Sequence, residues 1–172
     1  MNLLTKAVLL VAMMALAACN NPRGGSGDFQ DPMAGGGMGA GGIGSTALGD
    51  PNDPTSIAYF NQRIGDTVRF TVDSSDLSSE GISILRTQAA WLNRHPNYQI
   101  LIEGHADERG TREYNVALGA RRAARVQQFL ISEGVSANRL RTVSYGKERP
   151  VEVCAEPRCW DANRRSVTAV SR

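Results

Sequence analysis

The chain has 172 residues, a length for one domain plus appendages, and its 19 Lys+Arg against 17 Asp+Glu leave a net charge of +2. So small a surplus excludes a tail built to hold nucleic acid. Residue types are unevenly spread: eleven of the 18 glycines fall between 20 and 49, whereas 17 of the basic residues, all but one of them Arg, stand against 13 acids between 57 and 172. That Arg bias has two readings, planar forks for an anionic partner or GC-rich coding.

Residues 1–18 run from Met-Asn-Leu-Leu-Thr-Lys into the apolar stretch Ala7 to Ala18, the order of a secretory signal peptide. The stretch has 12 residues, short of the roughly 20 that cross a bilayer core. Its end, Leu16-Ala17-Ala18-Cys19, resembles the lipobox of bacterial lipoproteins. That resemblance implies a covalent lipid on Cys19 as the only attached group, with no other cofactor. Asn20 after the Cys, rather than Asp, implies sorting to the outer membrane with the domain in the periplasm. With Cys19 carrying lipid, Cys154 and Cys159 are left to pair, and an oxidising compartment allows that disulfide. The rival, a metal site with His95 or His105, lacks zinc-finger spacing.

Residues 19–56 are rich in Gly and Pro and poor in apolar side chains, which predicts a disordered tether averaging roughly 30 to 36 Å end to end. A folded domain is predicted over 57–172. Thr67 to Val72 alternates, with Val68, Phe70 and Val72 on one face of a strand. Ser78 or Ser79 caps a helix over Glu80 to Arg94, with Ile82, Leu85, Ala89 and Leu92 as its apolar stripe and Pro96 beyond its end. Tyr98, Ile100 and Ile102 mark a second strand. Glu113 to Glu133 reads as a helix stopped by Gly134, Arg139 to Tyr145 as a strand, Trp160 to Arg164 as a half-turn and Ser166 to Val170 as a last strand. The order is βαβαβ with an added strand, an α/β (α+β) fold whose mixed sheet carries its two main helices on one face.

Polar side chains crowd Glu103-Gly104-His105-Ala106-Asp107-Glu108-Arg109-Gly110-Thr111-Arg112-Glu113, where a strand ends and a helix begins. Ligands gather at such ends in open α/β sheets. Three readings stand: a metal site on Glu103, His105 and Asp107, which lacks a second spaced His; a hydrolase, which lacks a nucleophile elbow; and a binding loop, which needs only fixed donors and acceptors.

The strings Gly104-His105-Ala106-Asp107-Glu108-Arg109-Gly110-Thr111, Glu113-Tyr114-Asn115, Leu118-Gly119-x-Arg121-Arg122-Ala123, Val143-Ser144-Tyr145-Gly146-Lys147-Glu148-Arg149-Pro150 and Asn163-Arg164-Arg165 resemble the OmpA-like peptidoglycan-binding domain family. They are most similar to its peptidoglycan-associated lipoprotein branch. The resemblance covers about residues 66–171 and implies a non-enzymatic domain that holds the peptidoglycan peptide stem at meso-diaminopimelate. It also implies partners in the Tol complex through TolB, and roles in envelope integrity and cell division. By the same resemblance Asp107 takes the ligand ammonium and Arg122 its carboxylate, with Asn115, Leu118 and Asp73 walling the pocket. Arg121, about 100° round the helix from Arg122, faces solvent. Substituting Asp107 or Arg122 by Ala is expected to abolish binding with little change in thermal stability. Where the family usually has an aromatic before the first-strand Asp, this chain has Val72. For Arg164 and Arg165, a structural role and ligand contact both remain open.

Overall fold

The computed structural model describes residues 48–172; the expected signal peptide, Cys19 and the expected tether up to residue 47 lie outside the described residues. Residues 48–56, placed in the tether by composition, pack on the domain. The indole of Trp91 donates to the Pro54 carbonyl (2.7 Å) and the Tyr98 hydroxyl to the Thr55 carbonyl (2.6 Å). A short helix α1 (Ile57–Tyr59), capped by Ser56, continues as a wider π-helical turn over Phe60–Gly65. No apolar periodicity announced it, because so short a segment spans barely two turns.

Strand β1 (Thr67–Arg69) ends earlier than the alternation predicts. Val68 and Phe70 are buried as expected, but Val72 is exposed and Asp73 takes a left-handed backbone (φ 55°), so the chain turns out of the sheet before Val72 can join the inner face. Helix α2 (Ser79–Arg94) starts where the Ser78 hydroxyl accepts from Gly81 N–H, and it buries Leu85, Ala89, Trp91 and Leu92. Its last carbonyls are gripped by Arg139, which donates to Leu92, His95 and Tyr98 oxygens at 2.9 to 3.0 Å.

Strand β2 (Gln99–His105) feeds helix α3 (Arg112–Ser132), capped by the Thr111 hydroxyl on Tyr114 N–H, with Gly134 beyond its end at φ 92°. Strand β3 (Leu140–Gly146), helix α4 (Pro157–Asn163) and strand β4 (Arg165–Ser171) complete the chain. The half-turn foreseen around Trp160 is thus a two-turn helix, opened by Pro157 at its first position.

The sheet order is β1-β4-β2-β3. β2 and β3 are parallel, joined through α3, while β4 runs antiparallel to both β1 and β2. The added strand is therefore an interior strand. Ile100 faces Leu140 on one side and Val170 on the other, and with Ile102 these side chains form the core beneath α2 and α3. Gln88 is fully buried yet paired at both ends, donating to Gly65 O and accepting from the Thr168 hydroxyl. The other sheet face carries Leu101, Glu103, Val167 and Ala169, partly exposed.

Helix α3 lies against β2 backbone to backbone, Gly119 on Gly104. A Cβ on Gly104 would overlap the Gly119 carbonyl, and one on Gly119 would meet Gly104 O at 2.8 Å. This contact fixes the helix relative to the loop that leaves β2. Among the described residues no helix is long and apolar enough to cross a membrane.

Candidate functional site

Four segments converge on a cavity of about 270 Å³: the turn after β1, the loop after β2, the first turns of α3, and Arg164 at the end of α4. Its lining includes all five residues singled out by the family resemblance: Asp73, Asp107, Asn115, Leu118 and Arg122. Tyr114, Leu118 and Arg122 follow at intervals of four along α3, so they stack on one face of the helix.

Asp107 is 7% exposed and densely partnered. Its Oδ2 accepts from Arg109 Nη2 (2.7 Å) and Arg164 Nη1 (3.0 Å), and its Oδ1 from Arg109 N–H (3.1 Å) and Nε (3.4 Å). Burial alone would raise its pKa, but the Arg109 and Arg164 hydrogen bonds together hold the carboxyl below its ordinary value. Asn115 donates to the Arg109 carbonyl (2.8 Å), tying the loop to the helix. Leu118 supplies an apolar wall. Asp73 accepts from the Tyr114 hydroxyl, in a backbone conformation that Asp tolerates better than most residues.

Arg122 is completely buried. Its Nε donates to Ser74 O (2.8 Å), Nη1 to His105 O (2.8 Å) and Nη2 to Thr71 O (3.1 Å), and the guanidinium lies 5.2 Å from the Phe70 ring centre. Burial, then the neighbouring Arg164, lowers its pKa to about 10, which leaves it charged at neutral pH. The expectation that Arg122 can be removed at little cost to stability is therefore corrected: it clamps the β1 turn to the end of β2. A guanidinium has five N–H groups, so two carry no hydrogen bond among the described residues.

Val72, Arg109, Gly110, Tyr114 and Arg164 complete the lining. Tyr114 was legible from its spacing with Leu118 and Arg122. Arg164 stood in the sequence motifs with its role open, and its pairing with Asp107, across 57 positions of sequence, assigns it to the cavity. Arg165 is buried against the Asn163 and Arg149 carbonyls and does not line the cavity. Arg121 is exposed, as its helical phase requires.

His105 points to the opposite face of the sheet. It is 1% exposed, its ring 5.6 Å from that of Tyr145, with Nε2 3.3 Å from Glu103 Oε2 and Nδ1 without a partner among the described residues. It cannot act together with Asp107 at the cavity. No group of three His, Cys, Asp or Glu suited to a metal occurs among the described residues. Burial, with Arg165 and Arg149 adding to it, lowers the pKa of His105 to about 4. Because the unfolded chain binds this proton more readily, stability is expected to fall as pH drops from about 6.5 to about 4, by about 3 kcal/mol when complete, and to level off below that for this group. Urea unfolding across this range checks it, and His105→Asn is expected to flatten the slope. The Asp107 contribution is lost separately, only below its ordinary value of 3.8.

Cys154 and Cys159 form a disulfide, with Cα atoms 5.8 Å apart, that joins the loop before α4 to the helix itself.

Comparison with known proteins matches residues 69–164 to the OmpA family. The peptidoglycan-associated lipoprotein of Agrobacterium fabrum (strain C58) is 46% identical over 163 residues, 95% of this chain and 85% of that one. The chain belongs to the OmpA family, among its peptidoglycan-associated lipoproteins. The homologue from Pseudomonas aeruginosa is 40% identical over 164 residues, covering 92% of each chain. The crystal structure of the peptidoglycan-associated lipoprotein from Burkholderia pseudomallei superposes with a TM-score of 0.63 at 38% identity, covering 73% of this chain and 99% of that one. The OmpA family match takes in the whole cavity lining, from Val72 to Arg164. Proteins of this family are structural and not enzymes, which removes the hydrolase reading.

Proposed function

We propose that the chain is an outer-membrane lipoprotein, anchored through a covalent lipid on Cys19, whose domain binds the peptide stem of peptidoglycan non-covalently at meso-diaminopimelate. The observation that carries the reading is the cavity itself. It holds the Asp107 and Asp73 carboxylates and the Arg122 guanidinium within one small space, beside the apolar wall of Leu118. The diaminopimelate side chain ends in an ammonium and a carboxylate on one carbon, so its receptor needs an anion and a cation at fixed separation. Asp107, with Asp73 nearby, serves the ammonium; the two free N–H groups of Arg122 serve the carboxylate, each aligned charge-assisted bond contributing about 1.5 to 3 kcal/mol. Many tethered copies facing a polymer of repeated stems multiply a weak single grip through effective concentration. The family resemblance supports TolB and the Tol complex as protein partners and a role in envelope integrity and cell division.

Sedimentation with purified sacculi tests the reading. The wild-type chain pellets with walls containing diaminopimelate, and Asp107→Asn, which keeps the side-chain shape and removes the charge, is expected to stay in the supernatant. Walls carrying lysine in place of diaminopimelate, which lack the side-chain carboxylate, are expected to retain at least tenfold less protein, the loss of one such bond. Equal pelleting of wild type and Asp107→Asn overturns the assignment.

A further inference from the structure

A carboxylate offers about four acceptor sites, and all of those on Asp107 are taken by its own chain. Three of the four bonds come from Arg109 and one from Arg164. A ligand ammonium can reach this carboxylate only by replacing one of the two guanidinium groups. They are not equally replaceable. Arg164 is 7% exposed and fixed by bonds to Phe70 O and Asp161, whereas the Arg109 side chain is 44% exposed and lies over the Trp160 ring, 4.3 Å from its centre.

We propose that Arg109 is a built-in competitor for the cationic group of the ligand: binding exchanges the Arg109 fork on Asp107 for the incoming ammonium, while Arg164 remains the permanent counter-ion and Trp160 keeps the displaced guanidinium close. The proposal rests on the function reading above, in which a diaminopimelate ammonium enters this pocket. Trp160 is well placed for such a rest position. Its indole N–H donates to Glu108 Oε1 (3.1 Å), and it follows Cys159, which is buried and held in the disulfide. Both ends of the stacking pair are thus anchored, one to the loop after β2 and one to α4. The remaining charged groups at the cavity are Arg122 from α3 and Asp73 from the β1 turn, while Glu108 and Asp161 are turned to Trp160 and Arg164. Cation exchange has two consequences: the site rejects ligands that bring only a carboxylate, and part of each ligand's binding energy is consumed in freeing Asp107, which keeps the grip reversible.

The test uses the full chain labelled with 5-fluorotryptophan and titrated with a soluble muropeptide bearing free diaminopimelate. The chain has two tryptophans, and Trp91 is buried in the core, so the Trp160 resonance reports the stacking. In the wild type that resonance is expected to shift on saturation while Trp91 stays in place. Arg109→Gln is expected to bind about tenfold more tightly and to lose the Trp160 shift. Arg112→Gln, the same charge change at an exposed residue paired with Glu148, is expected to bind like wild type. Arg109→Gln binding no tighter than wild type, an unmoved Trp160 resonance in saturated wild type, or equal tightening in Arg112→Gln overturns the exchange. If wild type binds neither muropeptide nor sacculi, the function reading falls and this inference with it; if wild type binds and Arg109→Gln is unimproved, this inference alone falls.

Discussion

Arg122→Ala is expected to destabilise the domain by about 4 kcal/mol, read as a large drop in the urea midpoint with little change in slope. The Ser74 and His105 carbonyls lose their Arg122 donor, and the Thr71 carbonyl keeps only a longer bond from Ser74 N–H (3.4 Å). Each orphaned group in a part-buried setting costs about 1 to 3 kcal/mol, and the missing side chain leaves a cavity against Phe70. Against a typical stability of about 5 to 15 kcal/mol, that leaves a marginal fold. Arg122→Lys is expected to recover part of the loss, since one ammonium can serve one or two of those carbonyls but lacks the planar three-way reach. A wild-type midpoint for Arg122→Ala would show that the clamp contributes little. Because this substitution damages fold and pocket together, Asp107→Asn remains the cleaner probe of binding.

Gly104→Ala is expected to be as damaging or more so, with a loss of about 3 kcal/mol or greater and a pocket out of register. The added methyl lands on the Gly119 carbonyl, which is helix backbone and cannot rotate away as a side chain would. Relief requires α3 to lift from β2, and that movement carries Asn115, Leu118 and Arg122 away from Asp107. Reduced thermal stability together with lost sacculus sedimentation checks the expectation; wild-type values in both would mean the two backbones have room to part. Gly119→Ala, meeting the Ser144 hydroxyl as well as Gly104 O, is expected to behave similarly.

The parts of this architecture that depend on local periodicity were legible in the sequence. The stripe Leu85, Ala89, Leu92 and the cap at Ser78 mark the first long helix, the stop at Gly134 marks the second, and Ile100 and Ile102 mark the central strand. The place of β4 was not legible, since alternation shows which face of a strand is apolar but not which strand lies beside it. Nor was the anchoring of residues 50–56: the acceptors of Trp91 and Tyr98 are backbone carbonyls, and a carbonyl carries no mark of residue type. The same reason hid the structural work of Arg122 and Arg139. An Arg-rich composition suggested forks waiting for an anionic partner, yet several of those forks close on the protein's own carbonyls. At the cavity, the family motifs named five lining residues together, while Arg164 came from a distant helix end and its pairing from tertiary structure alone.

The interior position of β4 sets the order in which the domain can come into being. Val167 pairs with Thr67, and Arg165 with Arg69, across about 100 intervening residues. Until residues 165–171 arrive, β1 has no neighbour and β2 has one bare edge. A chain delivered from its N-terminus therefore cannot close its sheet partway, and the pocket, which needs Arg164 just before β4, is finished in the same event. Completion of the sheet and acquisition of the binding site are one step, and it waits on residues 164–171.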